Sequence, residues 1–300
     1  MKTIGIIGAM EVEVAILKEK MEDVRIIKKA SMDFYEGILA GKKVVVVRSG
    51  IGKVNAGICA QILADVFSVD AIINTGIAGS LNKNINIGDI VLSTDVVQHD
   101  MDATGFGYRK GQIPQMPVFF FNADDNLRRL AAEVCKEVNP DIQVFEGRIA
   151  SGDQFVCDQD VKNRIVSEFS AYATEMEGAA IGQAAYLNEI PFLVVRAISD
   201  KADGSAQMDY SEFEKAAVDH SVRLTLNMLA RIWKNHSRNL HAPLCGIFYP
   251  NSVAVARYGA LIRAKSPTNC DAHLAESLFQ TRFGAYLKNG AIDRKTEACI

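Results

Sequence analysis

The sequence predicts an α/β fold: a mixed, largely parallel twisted central sheet flanked by helices, followed by a C-terminal tail of different character. Three observations carry this prediction. Short runs rich in Val and Ile alternate with stretches in which apolar residues recur at three- and four-residue spacing, the signatures of strands and helices. Two runs, Val44-Val45-Val46-Val47 and Phe192-Leu193-Val194-Val195, are continuously apolar, as expected of strands covered on both faces in a mainly parallel sheet. The runs are also bounded by Gly, Pro or Asp, residues that end one element and begin a turn.

Taken in order, residues 3–7, 43–48, 71–74, 90–97, 149–151 and 192–198 read as strands. Residues 11–20, 53–67, 124–138, 158–168, 177–187 and 211–233 carry the helical period. No repeat and no low-complexity segment interrupts them.

The 300 residues are 49% hydrophobic and 23% charged with a net charge of −3, which excludes collagen-like, disordered and disulfide-scaffold classes. The apolar stretch near the start, residues 4–10, is far shorter than the ~20 residues of a membrane span, and Glu11 and Glu13 close it. It lacks the longer apolar core and small-residue cleavage site of a secretory signal, so a cytoplasmic protein without membrane association is expected. The six cysteines form no CxxC pair, so free thiols and no metal are expected, nor is any cofactor. The mild charge gives no reason to expect nucleic acid.

Charge is unevenly spread. Residues 234–300 hold nine of the 33 basic and four of the 36 acidic residues, a net of +5, which leaves −8 for residues 1–233. That stretch also holds three of the five His and three of the six Cys, without a sustained apolar period. A boundary is placed near Trp233, dividing a first domain, 1–233, from an extension, 234–300.

In a sheet of this kind, ligands gather at the carboxyl ends of the strands. Those ends read GAMEVE, SGIGK, TGIAGS, SGDQF, EME and RAISD, small turns combined with several acids and one Arg. Neither a GxGxxG fingerprint nor a Walker motif is present. Glu11 and Glu13 begin a helix, where the dipole stabilises carboxylates by about 0.3–1 kcal/mol, and either is alternatively a general base over the crevice. Glu175 and Glu177 are helix-start acids or acceptors for vicinal hydroxyls. Asp200 is a turn residue or a proton donor to a leaving group. Arg196, inside an apolar strand, requires an anionic partner if buried. Phe155 and Phe106 are core residues or stack on a planar base. His99 and His220 have no spaced partners and are given no role.

In order along the chain, the blocks GIIGAMEVEV, SGIGKVNAG, INTGIAGSL, IGDIVLS, HDMDATGFGY, SGDQF, TEMEGAAIG and PFLVVRAISDKAD resemble those of the bacterial methylthioadenosine/S-adenosylhomocysteine nucleosidases, within the purine nucleoside phosphorylase and uridine phosphorylase superfamily. The resemblance runs from Gly5 to about Trp233. It implies hydrolysis of the N-glycosidic bond of 5′-methylthioadenosine and S-adenosylhomocysteine, releasing adenine and the thioribose. It assigns Glu13 as general base toward water and Asp200 as the acid that protonates adenine N7. Glu177 would bind the ribose hydroxyls with the Met176 backbone nearby, and Arg196 would help order the water and Glu177. Phe155 would stack on adenine and the Val156 backbone would read its Watson–Crick edge, with Ser199 beside Asp200 also at the substrate. Met10, Ile51 and Tyr210 would line the 5′-alkylthio pocket. Phe106 and Pro114 would belong to a loop that reaches the neighbouring subunit's site, implying a homodimer.

The chemistry suits the residue types. Cleavage develops positive charge on the sugar and negative charge on the base, so fixed carboxylates beneath the ribose and a proton for N7 are needed. In that role Asp200 must keep its proton near neutral pH, well above the ~3.9 of an unperturbed Asp. Ile77 stands where many relatives have Ser, leaving backbone contacts alone at that position, and Tyr210 stands where Phe is common. Three rivals share the fold: a phosphorylase, which the carboxylates of the first loop disfavour; an aminofutalosine nucleosidase; and a non-catalytic nucleoside-binding protein. The tail after Trp233 has no counterpart in the family core.

Overall fold

The computed structural model describes residues 2–203 and 206–233, the latter range without the side chains of 207–212. The chain divides into two units, and the described residues belong to the first, Met1–Ser237. Its order is β1 (Thr3–Gly8), α1 (Glu11–Glu19), β2 (Glu22–Lys29), β3 (Met32–Leu39), β4 (Lys42–Arg48), α2 (Lys53–Asp65), β5 (Ala71–Ser80), β6 (Ile90–Gln98), β7 (Phe121–Asn122), α3 (Asp125–Val138), β8 (Val144–Ser151), α4 (Gln159–Phe169), β9 (Ala173–Glu175), α5 (Gly178–Leu187), β10 (Phe192–Asp200) and α6 (Ala206–Arg231).

The α/β expectation holds, with a mixed sheet in the order β10-β6-β8-β9-β5-β1-β4-β3-β2. Parallel ladders join β1 to β4 and β5, β5 to β10, and β8 to β6 and β9. Because β10 pairs both β5 and β6, the strands β5, β10, β6, β8 and β9 close on one another. Closure carries the carboxyl ends of β5, β8, β9 and β10 toward one place. The apolar runs explain the centre: Ile4, Ile6, Ile7, Val44 to Val47 and Leu193 to Val195 are all fully buried, as strands covered on both faces must be.

Each predicted strand and helix is present, and two N-termini show why. Asp124 accepts hydrogen bonds from the amides of Asn126 and Leu127 (2.9 and 2.8 Å), and Asp158 from those of Asp160 and Val161 (both 3.0 Å), capping α3 and α4. The sequence reading lacked β2 and β3, an antiparallel pair attached to β4 at the sheet edge. Strand β2 is exposed along most of its length, so no apolar run marks it. Among the described residues, no helix is long and apolar enough to cross a membrane.

Candidate active site

A cavity of about 900 Å³ opens where these strand ends meet, lined by Met10, Glu13, Ile51, Ile77, Phe155, Glu175, Met176, Glu177, Ser199 and Asp200, with small residues between them. Nine of the fourteen residues proposed from sequence are thus brought together. The tenth, Arg196, lies behind the wall, and Glu175, read from sequence as a helix-start acid or a hydroxyl acceptor but given no role by the resemblance, joins the lining.

Glu13 occupies the first turn of α1 and is buried. Its Oε2 accepts from the amides of Ala9 (2.6 Å) and Met10 (2.9 Å), and its Oε1 accepts from the amide of Ile77 (3.2 Å). The carboxylate therefore staples the β1–α1 turn to β5. Burial raises its pKa, while the positive charge of Arg196 and the three amides act in the opposite sense. The approach is close enough that a Cβ on Gly76 would lie 2.5 Å from Glu13 Oε1 and 3.2 Å from an Arg196 Nη, so β5 passes behind the pair only because position 76 has no side chain.

Arg196 is 2% exposed on β10, in register with Gly76 of β5 and Val91 of β6. The anionic partner that its burial demands is Glu175, whose Oε2 accepts from Nη2. Asn74 Oδ1 accepts from the same nitrogen at 2.6 Å, and Glu177 Oε2 stands 3.9 Å away. Burial works against the guanidinium charge, but Glu175, Glu177 and Glu13 outweigh it and raise the pKa further.

Glu177 immediately precedes α5. Its Oε1 accepts from the amide of Gly52 at 2.9 Å, joining the loop before α2 to the start of α5. Gly52 has a φ of +96°, a conformation open to glycine, and a Cβ there would sit 3.1 Å from Asp153 Oδ1. The Glu177 pKa is raised to about 7, by burial first and then by the charge of Glu175, against the opposing effects of Arg196 and the Gly52 amide.

Asp200 ends β10, where the pairing with β5 shifts between Ile198 and Asp200. The irregularity turns its carboxylate toward the cavity wall, where Oδ2 accepts from Ser199 Oγ (2.9 Å) and Oδ1 from the Ala202 amide (2.8 Å). It is 2% exposed, and Gly79 leaves it room: a Cβ there would meet Asp200 Oδ1 at 2.7 Å. Phe155 and Ile51, both about half exposed, form the cavity's apolar mouth with Met10 and Met176.

The remaining expectations lie elsewhere. The Val156 side chain is buried in a second apolar cluster with Leu81, Val97 and Ala150 and is not part of the lining. Phe106 is 86% exposed in a 3-10 turn, Thr104–Phe106, and Pro114 is half-buried in the following loop; neither lines the cavity. Tyr210 falls among the residues whose side chains lie outside the description. His99 is buried against Gly152, and His220 Nδ1 lies 3.0 Å from the Gly88 carbonyl; neither lines the cavity. Glu175 was legible through Arg196, since a buried guanidinium announces an acid, but the identity of that acid depends on the pairing of β9 with β5 and β8.

Residues 3–231 match the phosphorylase superfamily, and residues 233–292 match a family of unknown function (DUF6783). The 5′-methylthioadenosine/S-adenosylhomocysteine nucleosidase of Staphylococcus carnosus is 45% identical over 227 residues, covering 75% of this chain and 98% of that protein. The crystal structure of the Neisseria meningitidis enzyme of the same name, in complex with methylthio-immucillin-A, aligns with a TM-score of 0.74 at 39% identity, covering 77% of this chain and all of that one. A futalosine hydrolase from Helicobacter pylori aligns with a TM-score of 0.73 at 35% identity, covering 77% and 98%. The chain belongs to the phosphorylase superfamily and, within it, to the family of the 5′-methylthioadenosine/S-adenosylhomocysteine nucleosidases. It is accordingly an enzyme of the N-glycosyl hydrolase class.

Proposed function

We propose that the enzyme hydrolyses the N-glycosidic bond of 5′-methylthioadenosine and S-adenosylhomocysteine, releasing adenine and the corresponding thioribose. The observation that carries this reading is the charge of the cavity. Among the described residues that line it, every ionisable side chain is an acid, Glu13, Glu175, Glu177 and Asp200, the last protonated in this reading, and none is Lys, Arg or His. A wall of this sign favours the cationic sugar that forms as the bond breaks. It also disfavours phosphate, which takes cationic groups or amide donors, and so favours water over phosphorolysis as the acceptor reaction. The nearby guanidinium, Arg196, is already engaged by Glu175.

In this reading Glu13, held by three amides, takes a proton from the attacking water. Asp200 protonates adenine N7 as the base departs, and Ser199 Oγ and the Ala202 amide fix its orientation. Glu177 accepts the ribose hydroxyls, with Gly52 and Arg196 setting its position. Phe155 covers the adenine, the Val156 backbone reads the adenine edge, Met10, Ile51 and Tyr210 line the 5′ tail, and the backbones of Ile77 and Met176 lie near the ribose. The working unit is a homodimer in the cytoplasm, with Phe106 and Pro114 of one subunit reaching the other's site. The outward display of Phe106 and the exposure of Val54 and Ile58 on α2 support an apolar contact of this kind.

The test is adenine release by purified variants. Asp200→Asn, which retains shape but cannot deliver the proton, is expected to lower kcat by about 100-fold or more, the range for a general acid starting at about that value, with an unchanged melting temperature. A variant with near wild-type kcat would remove Asp200 from the mechanism. Futalosine derivatives belong in the same substrate panel, because the Helicobacter pylori futalosine hydrolase shares the fold at 35% identity.

A further inference from the structure

Three buried carboxylates, Glu13 from α1, Glu175 from β9 and Glu177 from the start of α5, surround the single guanidinium of Arg196 from β10. They do not share it equally. Glu175 Oε2 accepts from Arg196 Nη2 and from the amides of Gly178 (2.7 Å) and Glu177 (3.2 Å), while Oε1 accepts from Ser151 Oγ. All four partners are donors, and two of them are amides at the positive end of α5. Glu177, by contrast, has one amide donor and stands 3.9 Å from the guanidinium. Glu13 is satisfied by amides of β5 and the β1–α1 turn.

We propose that Glu175 is the fixed counter-ion of Arg196, a positioning residue that anchors the guanidinium beneath the cavity and leaves the carboxylates of Glu13 and Glu177 for the bound nucleoside. The proposal rests on the nucleosidase reading above. Its physical content is a division of charge. Three acids and one base neutralise only in part, so with Glu175 taking the guanidinium, Glu177 is left in a buried site facing the Glu175 and Glu13 charges. That arrangement accounts for a Glu177 carboxyl pushed up to about 7. Ionised Glu177 is the form that accepts ribose hydroxyls. Activity therefore rises with pH through this region, and the position of that acid limb reports how Arg196 is divided between Glu175 and Glu177. Glu175 also fixes geometry, since the amides it accepts are those of Glu177 itself and the first residue of α5.

The experiment is the pH profile of kcat/KM for adenine release from 5′-methylthioadenosine by the full-length wild type, Glu175→Gln and Ser151→Ala, each with its melting temperature. Glu175→Gln keeps the volume and one acceptor oxygen but removes the charge. Arg196 then turns to Glu177, and the acid limb is expected to move down by about one pH unit or more. Ser151→Ala keeps the charge of Glu175 and withdraws one donor from it, so the limb is expected to move up. A role limited to capping α5 would lower the melting temperature and the plateau in both variants without moving either limb, and that result overturns the proposal. If Glu175→Gln does not fold, the direction of the Ser151→Ala limb decides. Absence of adenine release by the wild type at every pH overturns the nucleosidase reading and the proposal together, whereas unmoved limbs in active variants overturn the proposal alone.

Discussion

Glu177 is buried with its carboxyl pKa raised to about 7, which has a consequence for stability as well as for catalysis. A carboxyl whose folded pKa lies above its ordinary value stabilises the fold while protonated in both states. That contribution is complete below about pH 4.5 and is lost as pH rises toward 7. Without ligand, the wild type is expected to lose stability across this window, whereas Glu177→Gln, which carries no charge to bury, loses less. The difference should favour the variant at pH 8 by roughly 1–3 kcal/mol and shrink toward pH 4.5, as read by urea denaturation. A constant difference across the range would show that the Glu177 charge costs the fold nothing. Glu177→Gln should also bind nucleoside poorly, so the residue trades stability for recognition. Legibility at this scale followed chain distance. The sequence reading recognised Glu13, Glu177, Arg196 and Asp200 as chemistry-bearing residues because each sits at a strand end in a distinctive block. It offered Glu175 only as a helix-start acid or a hydroxyl acceptor and missed its contact with Arg196, because that contact joins residues 21 positions apart and is completed by Ser151 on another strand.

At the scale of elements, the site depends on backbones that approach each other without side chains. Strand β5 runs beside β10 in parallel register, Arg196 opposite Gly76 and Asp200 opposite Gly79. Gly79→Ala would place a Cβ 2.7 Å from Asp200 Oδ1 and 2.8 Å from the Ala202 Cβ, so the end of β10 must shift. We expect a cost of about 1–3 kcal/mol in stability, the usual range for overpacking, and a loss of kcat larger than that of any change in KM, because the displaced carboxylate is the proposed proton donor. Unaltered kinetics in Gly79→Ala would mean that Asp200 is not held where its function requires. The continuous apolar strands were readable from sequence because burial on both faces removes every polar residue from the run. The β2–β3 pair was not, since β2 at the edge carries Glu22, Asp23, Arg25, Lys28 and Lys29 and is mostly exposed. The closure of β5, β10, β6, β8 and β9 was equally invisible, because strand order is set by long-range pairing and leaves no local pattern.

For the whole molecule, the two parts of the chain match separate families, residues 3–231 and residues 233–292. The first part contains the described core, the cavity and all of its lining residues, and α6 ends at Arg231 before the second match begins. We propose that residues 234–300 form an extension that the nucleosidase domain, 1–233, does not need. A chain ending at Trp233 is expected to fold with a melting temperature within a few degrees of the full-length protein and to keep kcat within about twofold. Loss of folding or activity on truncation would instead make the extension part of the enzyme.

Water, and not phosphate, is the proposed acceptor in a cavity lined by acidic side chains, and chromatographic identification of both products tests that most directly. Purified full-length enzyme is incubated with 5′-methylthioadenosine, with and without phosphate. Free adenine and 5-methylthioribose, formed at the same rate in either buffer, is the predicted result. Phosphate-dependent turnover yielding the 1-phosphate sugar would contradict it, and with it the assignment of Glu13 as the base that activates water.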